Sequence, residues 1–305
     1  MKILVAGATG LVGSALVPAL ASDGHTVCRL VRQETRTEGG TGDAFDVAWD
    51  PVAGELGGAA VGAEAVVNLA GASIAAGRWT EARKQLLRTS RVDATRALVT
   101  AIRKMQARPS VLISASAIGF YGNRGEEILV ESSPPGQGFL ATVAQDWEAA
   151  ASEAESLGTR VVMARFGIIL AEHGGALPRM MLPFRFGMGG RISSGKQWMS
   201  WIALDDVVQI LKRALADRTL RGPVNVVAPE PVTNLTFTGE LAKALRRPAL
   251  LPAPAFALKL AMGEMADALL LASQRVVPRV LTSAGYKFAS PQLEPALTRI
   301  TKRKT

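Results

Sequence analysis

The chain has 305 residues, and its hydrophobic content of 48% and charged content of 20% are ordinary for a soluble globular protein. Its single cysteine, Cys28, excludes a disulfide framework, and with two histidines in the chain we expect no structural zinc site and no other metal. No stretch is long and apolar enough to span a bilayer, so we expect no membrane partner and a cytoplasmic location. The net charge is +9, but the basic residues are scattered without a recognisable motif, and we expect no nucleic-acid partner.

The first predicted elements are a strand from Ile3 to Ala6, a glycine-rich turn, and a helix that begins near Leu11. Glycine has no Cβ, so the backbone of such a turn can bend tightly and approach a pyrophosphate. The helix N-terminus then offers free N–H groups and the positive end of the helix dipole. We therefore predict a dinucleotide-binding site at Gly7, Thr9, Gly10, Leu11, Val12 and Gly13. The alternative is a turn with a purely structural role.

The second predicted strand runs from His25 to Val31 and is followed by Arg32. In dinucleotide folds the end of this strand reaches the adenosine ribose, where an acidic residue binds the 2′-hydroxyl and an arginine accommodates a 2′-phosphate. Arg32 therefore predicts NADP (NADPH) in preference to NAD, with Arg29 and Arg36 as potential helpers. The alternative for Arg32 is a solvent-exposed loop arginine.

Strands continue to alternate with helices along the chain. Further strands are predicted at Phe45 to Trp49, Ala65 to Gly71, Ser110 to Ser116 and Arg160 to Leu170, and helices at Glu81 to Gln106, Ala141 to Glu155, Asp205 to Ala216, Ala255 to Ala272 and Pro291 to Ile300. This order predicts an α/β fold with a Rossmann-type doubly wound parallel sheet. We assign residues 1–170 to the dinucleotide-binding domain, with its sheet completed near residues 200–230. Residues 171–305 form mainly a smaller C-terminal substrate lobe and an appended module.

Several segments resemble an atypical branch of the extended short-chain dehydrogenases/reductases, the NAD(P)-dependent epimerase/dehydratase-like family. Its members are described as sugar-nucleotide epimerases or as cell-division inhibitors. The segments include Gly7–Gly13, Asn68–Gly71, Gly77–Glu81, Ser90–Val92, Ser114–Ser116, Phe120–Gly122, Asp146–Glu148, Gly174–Pro178, Gln197–Ile202 and Asn225–Val232. The resemblance runs essentially from end to end and includes that subfamily's appended C-terminal module. The end of the fourth predicted strand lies where ligands gather in open α/β sheets, so we also place Leu69, Ala70 and Gly71 in the cofactor site. With the resemblance we add Arg91, Phe166 and Gly167 to that site.

The chain departs from the wider superfamily in its catalytic residues. That superfamily uses a tyrosine as acid/base with a lysine four residues later, beside a serine or threonine. Neither Tyr121 nor Tyr286 has such a lysine, and the segment expected to hold the pair, Phe139–Glu148, contains neither residue type. The subfamily shares this loss. A second departure is Ala203, where the resemblance leads us to expect a histidine.

The remaining candidates for chemistry are few. Ser116 best matches the superfamily serine, and Ser114 lies two residues earlier on the same side of the strand. Tyr121 is the nearby side chain that could replace the missing acid, and the alternative for it is a packed or pocket-lining ring.

In the substrate lobe, the candidate substrate-binding residues are Arg191, Lys196 and Trp198. The alternatives are solvated loop cations for Arg191 and Lys196, and a core ring for Trp198. We interpret Asp205-Asp206 as a helix start and not as a catalytic pair.

These observations favour an NADP-binding oxidoreductase or epimerase-like protein, acting as a monomer or homodimer on a small-molecule substrate. That substrate would be a small carbonyl or hydroxyl compound or resemble a sugar nucleotide. The alternative is a non-catalytic NADPH-binding sensor or partner-binding protein, which the missing tyrosine and lysine permit. A third interpretation, a basic protein that binds nucleic acid or a membrane surface, is allowed by the charge but has no supporting motif.

Overall fold

The computed structural model describes residues 1–31 and 44–302, so Arg32 and Arg36 lie outside the described residues. In chain order the strands are β1 (Lys2–Ala6), β2 (Thr26–Val31), β3 (Ala44–Asp50), β4 (Glu55–Leu56), β5 (Ala65–Asn68), β6 (Val111–Ala117), β7 (Ile128–Leu129), β8 (Arg160–Phe166), β9 (Ile168–Leu170), β10 (Trp198–Met199), β11 (Trp201–Ala203), β12 (Gly222–Val226), β13 (Val232–Thr233) and β14 (Arg275–Val276). The helices are α1 (Leu11–Ser22), α2 (Glu81–Thr89), α3 (Val92–Lys104), α4 (Phe139–Ser152), α5 (Leu177–Arg185), α6 (Leu204–Ala216), α7 (Asn234–Leu245), α8 (Ala255–Met262), α9 (Glu264–Ala266), α10 (Arg279–Ser283) and α11 (Leu293–Lys302).

Eight strands form the central sheet in the order β12-β8-β6-β5-β1-β2-β3-β4. All pairs are parallel except β3–β4. Ile3, Leu4 and Val5 of β1 have no exposed surface because helices cover both faces of the sheet. Odd-numbered β1 residues pack in the cluster that includes α1 and α6, whereas Leu4 packs in the cluster that includes α3. The predicted Rossmann-type α/β fold is confirmed.

The direction of winding reverses between β1 and β5. From β1 the chain proceeds outward to β2 and β3, and it then crosses to β5 on the other side of β1 before continuing to β6 and β8. In open α/β sheets, ligands bind outside the carboxyl ends of the strands at such a switch point. The two segments that leave the sheet there are the glycine turn after Ala6 and Leu69–Gly71 after Asn68.

The single helix predicted for Glu81 to Gln106 is wrong, because the structure divides it at Ser90 and Arg91 into α2 and α3. Helix α3 buries one face against the sheet, including Leu98 and Ile102, whereas α2 buries only Leu87. The two helices therefore follow different surfaces, and helical periodicity alone does not reveal the break.

The single strand predicted for Arg160 to Leu170 is also wrong, since it is interrupted at Gly167. Strand β8 belongs to the central sheet, whereas β9 pairs with β11 in a separate two-stranded sheet. A Cβ at Gly167 would lie 2.6 Å from the Ser200 carbonyl oxygen, so this close approach requires glycine. The predicted helix from Ala255 to Ala272 breaks at Gly263, which has a φ of 62°.

Hydrogen bonds to Asp206, near the start of α6, connect the C-terminal segment around residues 286–290 to the helices that cover the central sheet. Its side chain accepts hydrogen bonds from the backbone N–H groups of Ala289 (2.8 Å) and Ser290 (2.9 Å) and from the Tyr286 hydroxyl (3.3 Å). Asp206 is 1% exposed, whereas its neighbour Asp205 pairs with Arg299 at the surface. Both members of the predicted helix-start pair therefore contact the C-terminal segment, but only Asp206 does so through a buried side chain.

We expect Asp206→Asn to lower the free energy of unfolding by about 3 kcal/mol, since one acceptor oxygen is replaced by a donor that faces a backbone N–H. The matched control is Asp205→Asn, for which we expect a loss below about 1 kcal/mol because this ion pair is exposed. Urea unfolding monitored by circular dichroism measures both. Equal losses in the two variants would contradict this account of Asp206.

Candidate cofactor and substrate site

The glycine turn packs backbone against backbone with the end of β5. Gly7 has a φ of 76°, and a Cβ there would lie 2.6 Å from the Leu69 carbonyl. A Cβ on Gly13 would lie 2.3 Å from the Gly7 carbonyl oxygen. Gly10 is exposed and has no such constraint, since its Cβ would lie 3.4 Å from the same oxygen. Packing therefore requires glycine at positions 7 and 13, and the absence of a side chain at Gly10 leaves the outer surface of the turn open.

Helix α1 begins at this turn without a side-chain cap. Gly10 is its N-cap residue, and the first turn of the helix contains no acidic side chain. The first N–H groups of a helix have no acceptor within it, so those of Leu11, Val12 and Gly13 are available to a ligand. Together with the helix dipole they favour an anion. The residues of the turn, including the exposed Thr9, therefore fit the pyrophosphate of a dinucleotide.

A buried hydrogen-bonded group positions Leu69–Gly71 opposite the turn. The Asn68 side-chain amide donates to Thr95 Oγ1 (2.8 Å), and its oxygen accepts from the Ala70 N–H (3.3 Å). Trp147 Nε1 also donates to Thr95 Oγ1 (2.9 Å). Sequence reasoning missed Thr95, because a threonine inside a helix carries no pattern that indicates this role.

Arg91 lies directly beneath this segment and is 9% exposed. A Cβ on Gly71 would lie 3.1 Å from its Cζ atom. The guanidinium donates to the carbonyl oxygens of Leu87 (3.0 Å) and Ala72 (2.9 Å). Burial, and then the positive charge of Arg83, lower the pKa of Arg91 to about 10. Arg91 therefore remains cationic at neutral pH beside the predicted cofactor site.

The other two predicted cofactor residues, Phe166 and Gly167, lie at the carboxyl end of β8, at the same edge of the sheet. The Phe166 side chain packs against a buried cluster of Val92, Ala115 and Trp147, which Leu69 also contacts. The Gly167 N–H donates to the Val226 carbonyl (3.1 Å). The structure therefore brings Phe166 close to the end of β5, whereas the backbone of Gly167 faces β12.

Ser116 belongs to a buried ionic network on the side of the sheet covered by α4. Its hydroxyl donates to Glu148 Oε1 (2.6 Å), and Arg165 donates to both carboxylate oxygens of Glu148 at 2.7 Å. Burial opposes the charge of Arg165, but the hydrogen bonds and charge of Glu148 raise its pKa above the ordinary value. Ser114 is also buried, and its hydroxyl donates to the Ala115 carbonyl (3.3 Å). The Ser116 proton is thus held by a carboxylate that arginine neutralises.

Tyr121 is part of the same network and has no exposed surface. Its hydroxyl accepts from Arg165 Nη1 (2.8 Å) and donates to Asn225 Oδ1 (2.7 Å). Burial raises the pKa of the Tyr121 hydroxyl, although Arg165 and Asn225 oppose that shift. Phe120 packs beside it, with the Arg165 guanidinium 3.6 Å from the Phe120 ring centroid. This environment fits the alternative of a packed ring better than that of a general acid.

The predicted substrate-binding residues lie at the start of β10 and in the segment that precedes it. Arg191 and Lys196 are exposed, and Arg191 Nε donates to the Ser193 carbonyl (3.2 Å). Trp198 is half-buried, donates to Glu126 Oε2 (2.5 Å), and packs 4.1 Å from the Arg275 guanidinium. Both loop cations are open to solvent, whereas the Trp198 indole already has protein partners.

Two further findings concern membrane-spanning helices and metal sites. Within residues 1–31 and 44–302, no helix combines the length and apolar character needed to cross a membrane. The same residues contain no group of three or more histidine, cysteine, aspartate or glutamate side chains that could hold a metal ion.

The fold and the glycine turn define a Rossmann-type dinucleotide-binding protein, and comparison with known proteins places it in a family. Residues 3–227 match the NAD dependent epimerase/dehydratase family, and residues 253–300 match a domain of unknown function, DUF1731. The chain therefore belongs to the NAD-dependent epimerase/dehydratase family, as the sequence motifs indicated.

Relatives match over essentially the whole chain. An epimerase family protein of Mycobacterium leprae is 41% identical, with 99% of this chain and 96% of that protein covered. The Bacillus subtilis epimerase family protein YfhF is 39% identical, with 100% of both covered. The crystal structure of human epimerase family protein SDR39U1 with NADPH is 33% identical, has a TM-score of 0.86, and covers 99% of each chain.

We expect Gly13→Ala to destabilise the protein by about 2 kcal/mol or more, because the new Cβ meets the backbone of the turn. Gly239→Ala in α7 is the matched control, since a Cβ there has no neighbour within 4 Å. Alanine favours a helix interior, so the control should gain about 0.5–1 kcal/mol. Thermal and urea unfolding measure both variants. A Gly13→Ala variant as stable as the control would contradict the observed packing.

We expect Tyr121→Phe to lower the free energy of unfolding by about 1–2 kcal/mol, because Asn225 and Arg165 each lose a buried partner. The raised pKa also makes this contribution depend on pH. The neutral hydroxyl stabilises the fold below its unfolded-state pKa of about 10, and that contribution is lost as the pH rises through the folded pKa.

Urea unfolding between pH 8 and pH 11 measures this difference. The wild type should lose stability more steeply than Tyr121→Phe towards the alkaline end of that range. Parallel curves for the two proteins would show that the Tyr121 hydroxyl does not titrate as its environment indicates.

Proposed function

We propose that this chain is an NADP-dependent oxidoreductase or epimerase-like enzyme that acts on a small carbonyl or hydroxyl compound. The observation that carries the proposal is the uncapped start of α1, packed backbone to backbone against the end of β5 at the switch point of the sheet. The human relative crystallised with NADPH supports the choice of cofactor. When bound, NADPH supplies the hydride.

The preference for NADP rests on Arg32. This residue directly follows β2, which lies beside β1 in the sheet and ends at Val31. Arg29, a potential helper, pairs with Asp46 across β2 and β3, with Nε 2.7 Å from Oδ1. Its charge is therefore partly balanced within the sheet, and we assign the 2′-phosphate to Arg32.

The chain's own residues would bind and orient the reactants. The glycine turn would bind the pyrophosphate. The hydrogen bonds of Asn68 to Thr95 and Ala70 would hold Leu69–Gly71 in position on the opposite side of the cofactor. The Ser116 hydroxyl donates its hydrogen to Glu148, so its oxygen can accept a hydrogen bond from a substrate hydroxyl. Arg165 contacts both oxygens of Glu148, and one of them also accepts the hydrogen bond from Ser116, so we propose that Ser116 positions the substrate without transferring a proton.

The alternative is a protein that binds NADPH without turnover. One observation favours it: α4, which carries Glu148, has neither tyrosine nor lysine along its length. Oxidation of NADPH in the presence of a panel of aldehydes, ketones and sugar nucleotides separates the two. Consumption that requires one of these compounds supports the enzyme, and tight NADPH binding without any consumption supports the alternative.

We expect Arg32→Ala to weaken NADPH binding about tenfold to a hundredfold and to leave NADH binding unchanged, because only NADPH carries the 2′-phosphate. Fluorescence titration of each cofactor measures this. Arg103→Ala, an exposed arginine near the end of α3, is the control for a general loss of positive charge. Equal loss for both cofactors, or none for either, would contradict the assignment of Arg32.

A further inference from the structure

The cations of α2 and the adjoining residue Arg91 fall into two groups. Lys84 pairs with Glu81 (3.3 Å) and also with Glu264, and Arg88 pairs with Asp146 (2.9 Å). In the part of the chain that the structure describes, neither Arg83 nor Arg91 forms an ion pair with a carboxylate. The paired and the unpaired cations all lie within α2 and the two residues that follow it.

The two unpaired arginines are withdrawn from water. Arg91 is 9% exposed, and Arg83 is half-buried. Arg83 Nε is fully buried and has no hydrogen-bond partner among the residues described. The charge of Arg83 adds to burial in lowering the pKa of Arg91. A buried cation beside a half-buried one, with no carboxylate paired to either among the described residues, is costly unless a ligand supplies negative charge.

Neighbouring backbone carbonyls hold both guanidinium groups in place. Arg91 donates to Ala72 and Leu87, and Arg83 Nη2 donates to Ser73. A guanidinium has five N–H donors, so each side chain keeps donors for a ligand. Gly71, which covers Arg91, is itself exposed and carries no side chain to close the approach.

The loop that these arginines hold connects the cofactor turn to the substrate lobe. It begins at Leu69, against Gly7, and the Ala75 carbonyl accepts a hydrogen bond from Arg179 Nη1 of α5 (2.8 Å). Arg91 contacts the loop at Ala72, nearer to the predicted cofactor site, and Arg83 contacts it at Ser73, one residue closer to the substrate lobe.

We propose that Arg83 and Arg91 bind an oxyanion of the substrate, a phosphate or a carboxylate. The assignment to a substrate rests on the proposed function. A phosphate of the cofactor has the same chemistry, but the glycine turn already offers it a site, and Arg83 lies further along the loop towards the lobe. The substrate class would then be an anionic carbonyl or hydroxyl compound.

The test uses the full chain, with inorganic phosphate and acetate as probes. The melting temperature is measured against probe concentration, with and without NADPH, and chloride at equal ionic strength is the reference. The variants are Arg83→Gln and Arg91→Gln. The matched control is Arg96→Gln on α3, whose side chain is 51% exposed and pairs with Asp93.

We expect at least one probe to raise the melting temperature of NADPH-loaded wild type and of the control. Its affinity should fall about tenfold in Arg83→Gln, since one charge-assisted contact is lost. Without a probe, Arg83→Gln should melt no lower than wild type, because repulsion between the cations is removed. Arg83→Gln is the decisive variant, since Arg91→Gln also removes hydrogen bonds to two carbonyls, and we expect it to be less stable for that reason.

Each outcome decides the proposal. The oxyanion site is overturned if phosphate and acetate raise the melting temperature no more than chloride does. It is also overturned if they raise it equally in wild type and in Arg83→Gln. Weaker NADPH binding by Arg83→Gln assigns the anion to the cofactor and overturns its assignment to a substrate. If wild type does not bind NADPH at all, the proposed function fails, while the titration without cofactor still tests the site itself.

Discussion

The close packing of the glycine turn against the end of β5 is the constraint on which the rest of the site depends. Gly7 and Leu69 meet through their backbones, and Gly13 allows the first turn of α1 to approach the Gly7 carbonyl oxygen. This approach places the start of a helix dipole beside the carboxyl ends of two neighbouring strands. The same glycines thus serve the fold and the cofactor site, so the structural and the functional interpretations of the motif are compatible.

The network around Arg165 shows what occupies the region in which a catalytic pair was expected. The Arg165 guanidinium donates hydrogen bonds to Glu148 and Tyr121, and Glu148 also accepts one from Ser116. All four side chains are buried. A buried ion pair of this kind must be satisfied completely, because removing one partner leaves an uncompensated charge. These side chains therefore stabilise one arrangement of β6, β8 and α4, and the arrangement leaves their acidic and basic groups occupied.

Charged side chains whose hydrogen bonds are satisfied within the protein differ in role from those that remain available to a ligand. Asp206 receives three hydrogen bonds from the C-terminal segment and joins it to α6. Among the described residues, the hydrogen bonds of the Arg83 and Arg91 guanidinium groups go to neutral carbonyls, and Arg91 also packs against the Trp147 ring. A satisfied buried group rigidifies a fold, whereas an unsatisfied one is available for binding.

The sequence by itself determined the sheet, the glycine turn and the family. Strand and helix periodicity, together with the spacing of Gly7, Gly10 and Gly13, are local properties that can be read along the chain. Only the tertiary structure decided where Gly167 interrupts a strand and where α2 ends, because those breaks depend on contacts with distant segments. It also decided that Ser116 faces Glu148 and that Arg91 forms no ion pair with a carboxylate of the described residues. Partners for a buried charge are chosen by packing between remote residues, which no local pattern specifies.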